Sequence, residues 1–134
     1  MTNEHAFLRD FKGNAPADDI AIRQLQASSS LKLPGDYLSF LQRVNGGEGF
    51  IGKNAYAILW RAEEVVEMNK AYQVDVLAPG LFIFGSDGGG EAFAFDARSD
   101  PVFTVTIPFV GMNLELVRPI APSFERFLMH LFNS

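Results

Sequence analysis

The residues of this chain that could carry chemistry are few. Gly85-Ser-Asp-Gly-Gly-Gly90 sets four glycines around one hydroxyl and one carboxylate. Successive backbone N–H groups in such a loop can form an anion nest. The segment lacks the lysine and hydroxyl of a P-loop, and it lacks the spacing and following helix of a dinucleotide fingerprint. A strand pattern follows it instead, so it also reads as a strand-to-strand turn with positive φ at several positions. Gly89 is expected to be one of them, and a valine there to damage folding.

Asp87, Glu91 and Asp96 form the densest carboxylate cluster, and Glu48 stands alone just after Asn45-Gly46-Gly47. Paired carboxylates run acid–base chemistry in a cleft that separates their pKa values, and the sequence shows no such cleft. A Ca²⁺ loop needs more oxygen ligands at regular spacing. The four acids therefore read as solvated turn residues or as protein-contact residues. His5 and His130 are the only histidines and lie at opposite ends of the chain, so no zinc spacing exists. Ser86 is in no nucleophile elbow, and there is no cysteine to ligate, oxidise or attack. The expectation is a non-enzyme with no catalytic residues, cofactor or metal. Trp60 and Tyr56 together could mark an interface hot spot, but Trp60 is assigned to the core. Asn45 and Asn54 are given turn and cap roles.

Composition narrows the partners. The 134 residues carry a formal net charge of -5, and the lysines and arginines are scattered. A nucleic-acid binder shows a basic patch, so no direct nucleic-acid contact is expected. An acidic excess keeps a protein soluble and suits a basic protein partner. No apolar run approaches a membrane span, and Met1-Thr-Asn-Glu-His5 is no signal peptide; a cytoplasmic protein is expected. The length suits one domain, 1–134. Thirteen phenylalanines must mostly be core.

The elements that must position these groups centre on residues 33–47. Pro34 suits a first helical position, Asp36 the first turn, and Tyr37, Phe40, Leu41 and Val44 recur on one apolar face. Asn45-Gly46-Gly47 stops the helix. Before it, residues 1–15 form an arm that tucks Phe7, Leu8 and Phe11 onto the body. A helix then runs from Pro16 to about Ala27 with Ile20, Ile22 and Leu25 inward. After it, Glu48–Gly52 reads as loop, Ala55–Trp60 as a central strand, and Arg61–Tyr72 as a helix with Val65, Met68 or Asn69, and Tyr72 inward. Leu81–Phe84, Glu91–Asp96 and Val102–Ile107 read as strands. In the last, Phe103, Val105 and Ile107 point inward, and Thr104 and Thr106 outward. Residues 109–118 add an edge strand, and Pro122 opens a helix carrying Phe124, Phe127, Leu128 and Leu131. Strands joined by short turns predict an α+β domain with one twisted antiparallel sheet and helices packed on one side.

The ordered set resembles the Smi1/Knr4 family of the SUKH superfamily. The matching residues are Leu33-Pro34, Asp36-Tyr37, Phe40-Leu41 and Asn45-Gly46-Gly47; then Trp60, Glu63-Glu64-Val65 with Asn69, and Phe84-Gly85. Gly88-Gly89-Gly90 with Phe93, Phe95 and Asp96 follows, then Pro101-Val102 and Ser123-Phe124-Glu125-Arg126-Phe127-Leu128. The resemblance covers roughly residues 18–132 and implies an α+β fold. It also implies, for a compact bacterial member, an immunity protein that binds and neutralises a cognate polymorphic toxin, of nuclease or deaminase type. It transfers no catalytic residue. The alternatives are a small-ligand or enzymatic domain using the Gly85–Gly90 turn and its acids, and a general regulatory protein-interaction module. Oligomeric state is left open.

Overall fold

The computed structural model describes residues 4–134; residues 1–3, which open the predicted arm, lie outside the described residues. Seven strands form one sheet in strict chain order: β1 Phe11–Gly13, β2 Gly47–Ile51, β3 Ala55–Leu59, β4 Leu81–Ser86, β5 Glu91–Asp96, β6 Phe103–Pro108 and β7 Arg118–Ala121. Every pairing is antiparallel. Short turns join β2 to β3, β4 to β5 and β5 to β6, as antiparallel neighbours allow. Helix α1 Glu4–Phe7 precedes β1, α2 Asp19–Ser28 and α3 Gly35–Arg43 fill the β1–β2 connection, α4 Val65–Ala71 and α5 Val74–Leu77 fill the β3–β4 connection, and α6 Phe124–Phe132 follows β7. The α+β class and the single antiparallel sheet agree with the sequence reading.

The core is a phenylalanine layer between the sheet and helices α3 and α6. Phe84 stacks on Phe95 at 4.4 Å between ring centroids and meets Phe127 edge-on at 5.1 Å. Tyr37 of α3 sits edge-on to Phe95 and Phe124, and Phe40 lies 5.0 Å from Phe124. Tilted and edge-to-face rings add attraction beyond the area they bury. The two helices are also pinned end to flank. Ser123 caps α6 by accepting from the Arg126 N–H at 3.1 Å, and Asp36 of α3 accepts from the Glu125 N–H at 2.9 Å. An acid in the first turn of one helix thus satisfies a free donor of the other.

Register assigns the two faces. Phe93 pairs with Gly85 and Thr106, and Phe95 with Phe82 and Thr104. Directly opposed residues share a face, so the threonine side of β6 is the side covered by helices. Thr104 is fully buried and its hydroxyl donates to the Ala121 carbonyl at 3.1 Å. This corrects the expected outward threonines. Ala92, Ala94, Val105 and Ile107, on the opposite side, are buried too. With both sides of a strand buried, polarity no longer alternates with direction.

Other expectations shift locally. Glu48–Gly52 is strand β2, not loop. The helix expected from Pro16 begins at Asp19, where Asp18 caps it by accepting from Ala21 at 2.8 Å. Ile20 in it is 59% exposed, while Ala21, Ile22 and Leu25 face inward. Pro34 is the residue before α3 rather than its first turn. The helix expected over 61–72 is shorter, α4 at Val65–Ala71; the unexpected helix α5 follows it past Gln73, which lies in the left-handed region, and Tyr72 is exposed rather than inward. The last edge strand is shorter and later than expected, at Arg118–Ala121, behind a turn of 3-10 helix at Leu114–Leu116. The amino-terminal arm does tuck Phe7 and Phe11 into the core, through α1 and β1.

Candidate functional site

Strands β1 to β3 have a second face that is largely open among the described residues. On the helix side the alternation places Phe11, Ile51, Ala57 and Leu59, all buried. On the other side it places Lys12, Glu48, Phe50, Tyr56 and Ile58. Lys12, Glu48 and Phe50 are exposed, with Phe50 at 46%, and Tyr56 and Ile58 are half-buried. A hollow of ≈ 670 Å³ lies along this face, lined also by Asp10, Trp60, Arg61 and Glu64. It is an open trough of mixed polarity and not an enclosed apolar pocket of the kind that takes a small ligand.

The local geometry of the trough is ordered. Phe50 and Tyr56 meet edge to face, with centroids 5.2 Å apart and planes at 82°. The Tyr56 hydroxyl donates a hydrogen bond to Glu48 Oε2, which holds the phenol above its usual range. Glu48 stands opposite Lys12 in register, yet among the described residues it forms no ion pair with it. Two glycines, Gly47 and Gly49, let β1 come close on the other flank. At Gly49 a Cβ would meet the Asp10 carbonyl oxygen at 2.7 Å. Trp60 is buried, as expected from the sequence, and its ring joins Tyr72 and Phe109 in a cluster at the far end of the trough.

The β4–β5 turn closes one side. A Cβ on Gly88 would lie 3.3 Å from Tyr56 Cδ2 and 3.7 Å from Ile58 Cδ1, so this turn rests on two trough-lining side chains. Its polar groups are spent on itself. Asp87 Oδ1 accepts from the Gly89 and Glu91 N–H groups at 2.7 and 3.1 Å, Ser86 Oγ accepts from the Gly88 N–H, and the Asp87 N–H donates to the Glu91 carbonyl. An anion nest needs those N–H groups free, so the ligand-loop reading of Gly85–Gly90 loses the donors of Asp87, Gly88 and Gly89. Positive φ falls at Gly88 (78°) and Gly90 (108°), not at Gly89. A Cβ on Gly89 would meet its nearest neighbour, Asp87 Oδ1, at 3.5 Å. Gly89 was the wrong glycine: the strain of a side chain belongs to its two neighbours. Gly85 is confined for another reason, because a Cβ there would collide with the Ile58 carbonyl oxygen.

The four candidate acids therefore separate. Glu48 is on the open face. Asp87 borders it through the turn. Glu91 is joined to Asp87 through the backbone, but alternation along β5 puts its side chain on the side of Phe93 and Phe95. Asp96 is at the other end of β5, only 8% exposed, and its carboxylate is clamped by Arg98 through Nε at 2.9 Å and Nη2 at 2.8 Å. Those bonds hold its pKa below the usual carboxylate value. Phe50, Lys12 and the hollow itself were missed by the sequence reading. The signal was present in Glu48 and Phe50 alternating with Gly47, Gly49 and Ile51, but glycines have no polarity to alternate.

Two asparagines are structural. Asn45 is buried and accepts from the Ala62 N–H at 2.8 Å while donating to Glu63 Oε1 at 2.7 Å. Asn69 of α4 donates to the Ile83 carbonyl and accepts from the Ile83 N–H, both at 2.8 Å. Strand β3 pairs with β4 only at Ile58–Ser86 and Leu59–Gly85, so the amide of Asn69 substitutes for the missing strand. Among the described residues no group of three His, Asp or Glu side chains could hold a metal ion, and no helix is long and apolar enough to cross a membrane.

The family model described as SMI1 / KNR4 family (SUKH-1) matches residues 16–130. No curated protein matches the chain.

Proposed function

The chain belongs to the SMI1 / KNR4 family (SUKH-1), whose domains are of immunity type, and from that premise we propose that it is an immunity protein. It acts as one domain, in the cytoplasm, by binding and neutralising a cognate toxin domain, without turnover of its own. The observation that carries the reading is the family match over residues 16–130. Three features support it. The trough on the open face is wide, shallow and of mixed polarity, the character of a protein contact and not of an enclosed pocket. The chain's net charge of -5 suits a basic toxin domain, such as a nuclease with a cationic substrate cleft. Glu48, with Asp87 bordering it in the turn, is the acid group to present to such a partner.

The test is co-purification with the products of neighbouring genes, followed by calorimetry across a salt series. A stable complex that blocks the toxin's activity and weakens as salt rises is the expected outcome. Saturable binding of a small metabolite, with no binding to any encoded neighbour, would replace this reading with a ligand-binding one.

A further inference from the structure

Resting on that reading, we propose that the open face is the docking site and that Glu48, Phe50 and Tyr56 form the seat for a single arginine of the protein partner. The three groups lie on one sheet face at neighbouring positions of β2 and β3. Phe50 meets Tyr56 edge to face and is still 46% exposed in mid-strand, so part of its ring is open to a partner. An apolar ring so placed is open to a partner while it keeps its cross-strand contact with Tyr56. Beside it the Glu48 carboxylate is oriented by the Tyr56 hydroxyl, which occupies Oε2 and leaves Oε1 without a hydrogen bond among the described residues. A planar cation laid on an aromatic face with its N–H edge toward a carboxylate satisfies both groups at once. A guanidinium has that shape, whereas an ammonium is a compact, strongly hydrated point charge.

The surroundings agree with one incoming cation. Acids in the hollow and the adjoining turn are Asp10, Glu48, Glu64 and Asp87, against the bases Lys12 and Arg61. Neither base is paired with Glu48 among the described residues. The Gly88 turn supports Tyr56 from the flank and leaves the trough open, because that glycine has no Cβ to fill the space. The hollow, at ≈ 670 Å³, is larger than one side chain, so the arginine enters as the anchor of a broader contact.

The experiment titrates the whole chain with two capped tripeptides, one with a central arginine and the other with citrulline, followed by two-dimensional NMR. The arginine peptide should shift Glu48, Phe50, Tyr56 and Gly88 selectively, and the citrulline peptide, of nearly the same shape but uncharged, should not. Phe50→Ala and Glu48→Gln, each checked for an unchanged melting temperature, should abolish those shifts. Equal effects of both peptides, or shifts elsewhere on the surface, overturn the seat. In a toxin complex either variant should weaken binding about tenfold or more, the scale of an interface anchor. Toxin binding unaffected by both variants overturns the seat and leaves the immunity reading standing. Arginine-specific shifts with no toxin partner sustain the seat and remove the immunity reading.

Discussion

Strands β4 to β6 and strands β1 to β3 belong to one continuous sheet but meet different surroundings. In the first group both faces are buried. All six residues of β4 are buried, and β5 and β6 place phenylalanines and threonines on the helix side and alanine, valine and isoleucine on the other. In the second group only the helix side is buried, and the opposite side shows Lys12, Glu48 and Phe50 to solvent. Burial on two faces fixes a strand by packing alone. Burial on one face leaves the other free to vary without loss of the core, which is where a recognition surface can be built on a rigid support.

The sharpest way to break this comparison is to truncate a phenylalanine in each region. Phe40 is 1% exposed and packs on Phe124. Phe40→Ala should cost about 3–5 kcal/mol in chemical denaturation, through lost transfer energy and the cavity left behind. A loss below about 1 kcal/mol would show that the layer between α3 and α6 does not carry the fold. Next in size is the edge of β4. Asn69→Ala removes the amide that pairs with the Ile83 N–H and carbonyl. Leaving these two groups unsatisfied should cost about 2–3 kcal/mol. Hydrogen exchange should quicken at Ile83 before it does along β5; uniform exchange would mean that Asn69 is not a local strand substitute.

How far the sequence showed this difference depends on what each residue had to alternate. Tyr37, Phe40 and Leu41 repeat at helical spacing because α3 buries one face only, and the reading there was right. Thr104 was read as outward because threonine is polar, but its hydroxyl is satisfied by the Ala121 carbonyl inside the sheet, a partner 17 residues away that no local pattern reveals. Strand β2 reads as loop in the sequence because Gly47 and Gly49 carry no side chain, although their close approach to β1 is what requires glycine. Of the site, Glu48 was singled out and Phe50 was not. Asp96 was singled out as a charge, but its bidentate partner Arg98 two residues on makes it an anchor of the β5–β6 turn.

That anchor gives the third prediction. The Arg98 guanidinium, foremost, holds the folded carboxyl of Asp96 below its ordinary value of 3.8. A depressed folded pKa stabilises the protein above the unfolded value, and the gain is lost as pH falls through the folded value. Asp96→Asn should therefore lose about 1–2 kcal/mol at neutral pH, the range of a charge-assisted hydrogen bond with a partly exposed partner. The difference from the native protein should shrink on acidification below pH 3.8. A difference independent of pH would assign the loss to packing. Smaller again is Phe50→Ala on the open face. Its exposure predicts a stability change within about 1 kcal/mol, less than Phe40→Ala by a wide margin. A loss as large as that of Phe40 would mean that the trough is core, and the comparison between the two regions would fail.

The smallest effect has the opposite sign and lies in the middle of the doubly buried region. Tyr37 is 2% exposed, packed among Phe84, Phe95 and Phe124, and its hydroxyl has no hydrogen-bond partner among the described residues. A hydroxyl carried into a phenylalanine layer without a partner loses its hydration for nothing, so Tyr37→Phe, which keeps the ring, should leave stability unchanged or raise it by about 1 kcal/mol. Burial also pushes the phenol well above its ordinary value of 10.0. The folded state therefore keeps this proton where the unfolded chain releases it, and the native protein should lose stability as pH rises above 10.0, with a limiting slope of about 1.4 kcal/mol per pH unit. Tyr56 is raised as well, through its bond to Glu48, so the reading is the difference between the native protein and the variant, in which Tyr56 cancels. Urea midpoints measured across the alkaline range should diverge in favour of Tyr37→Phe. Parallel curves would mean that the hydroxyl finds a partner in solution, such as a bound water, and that the layer is less dry than its rings suggest.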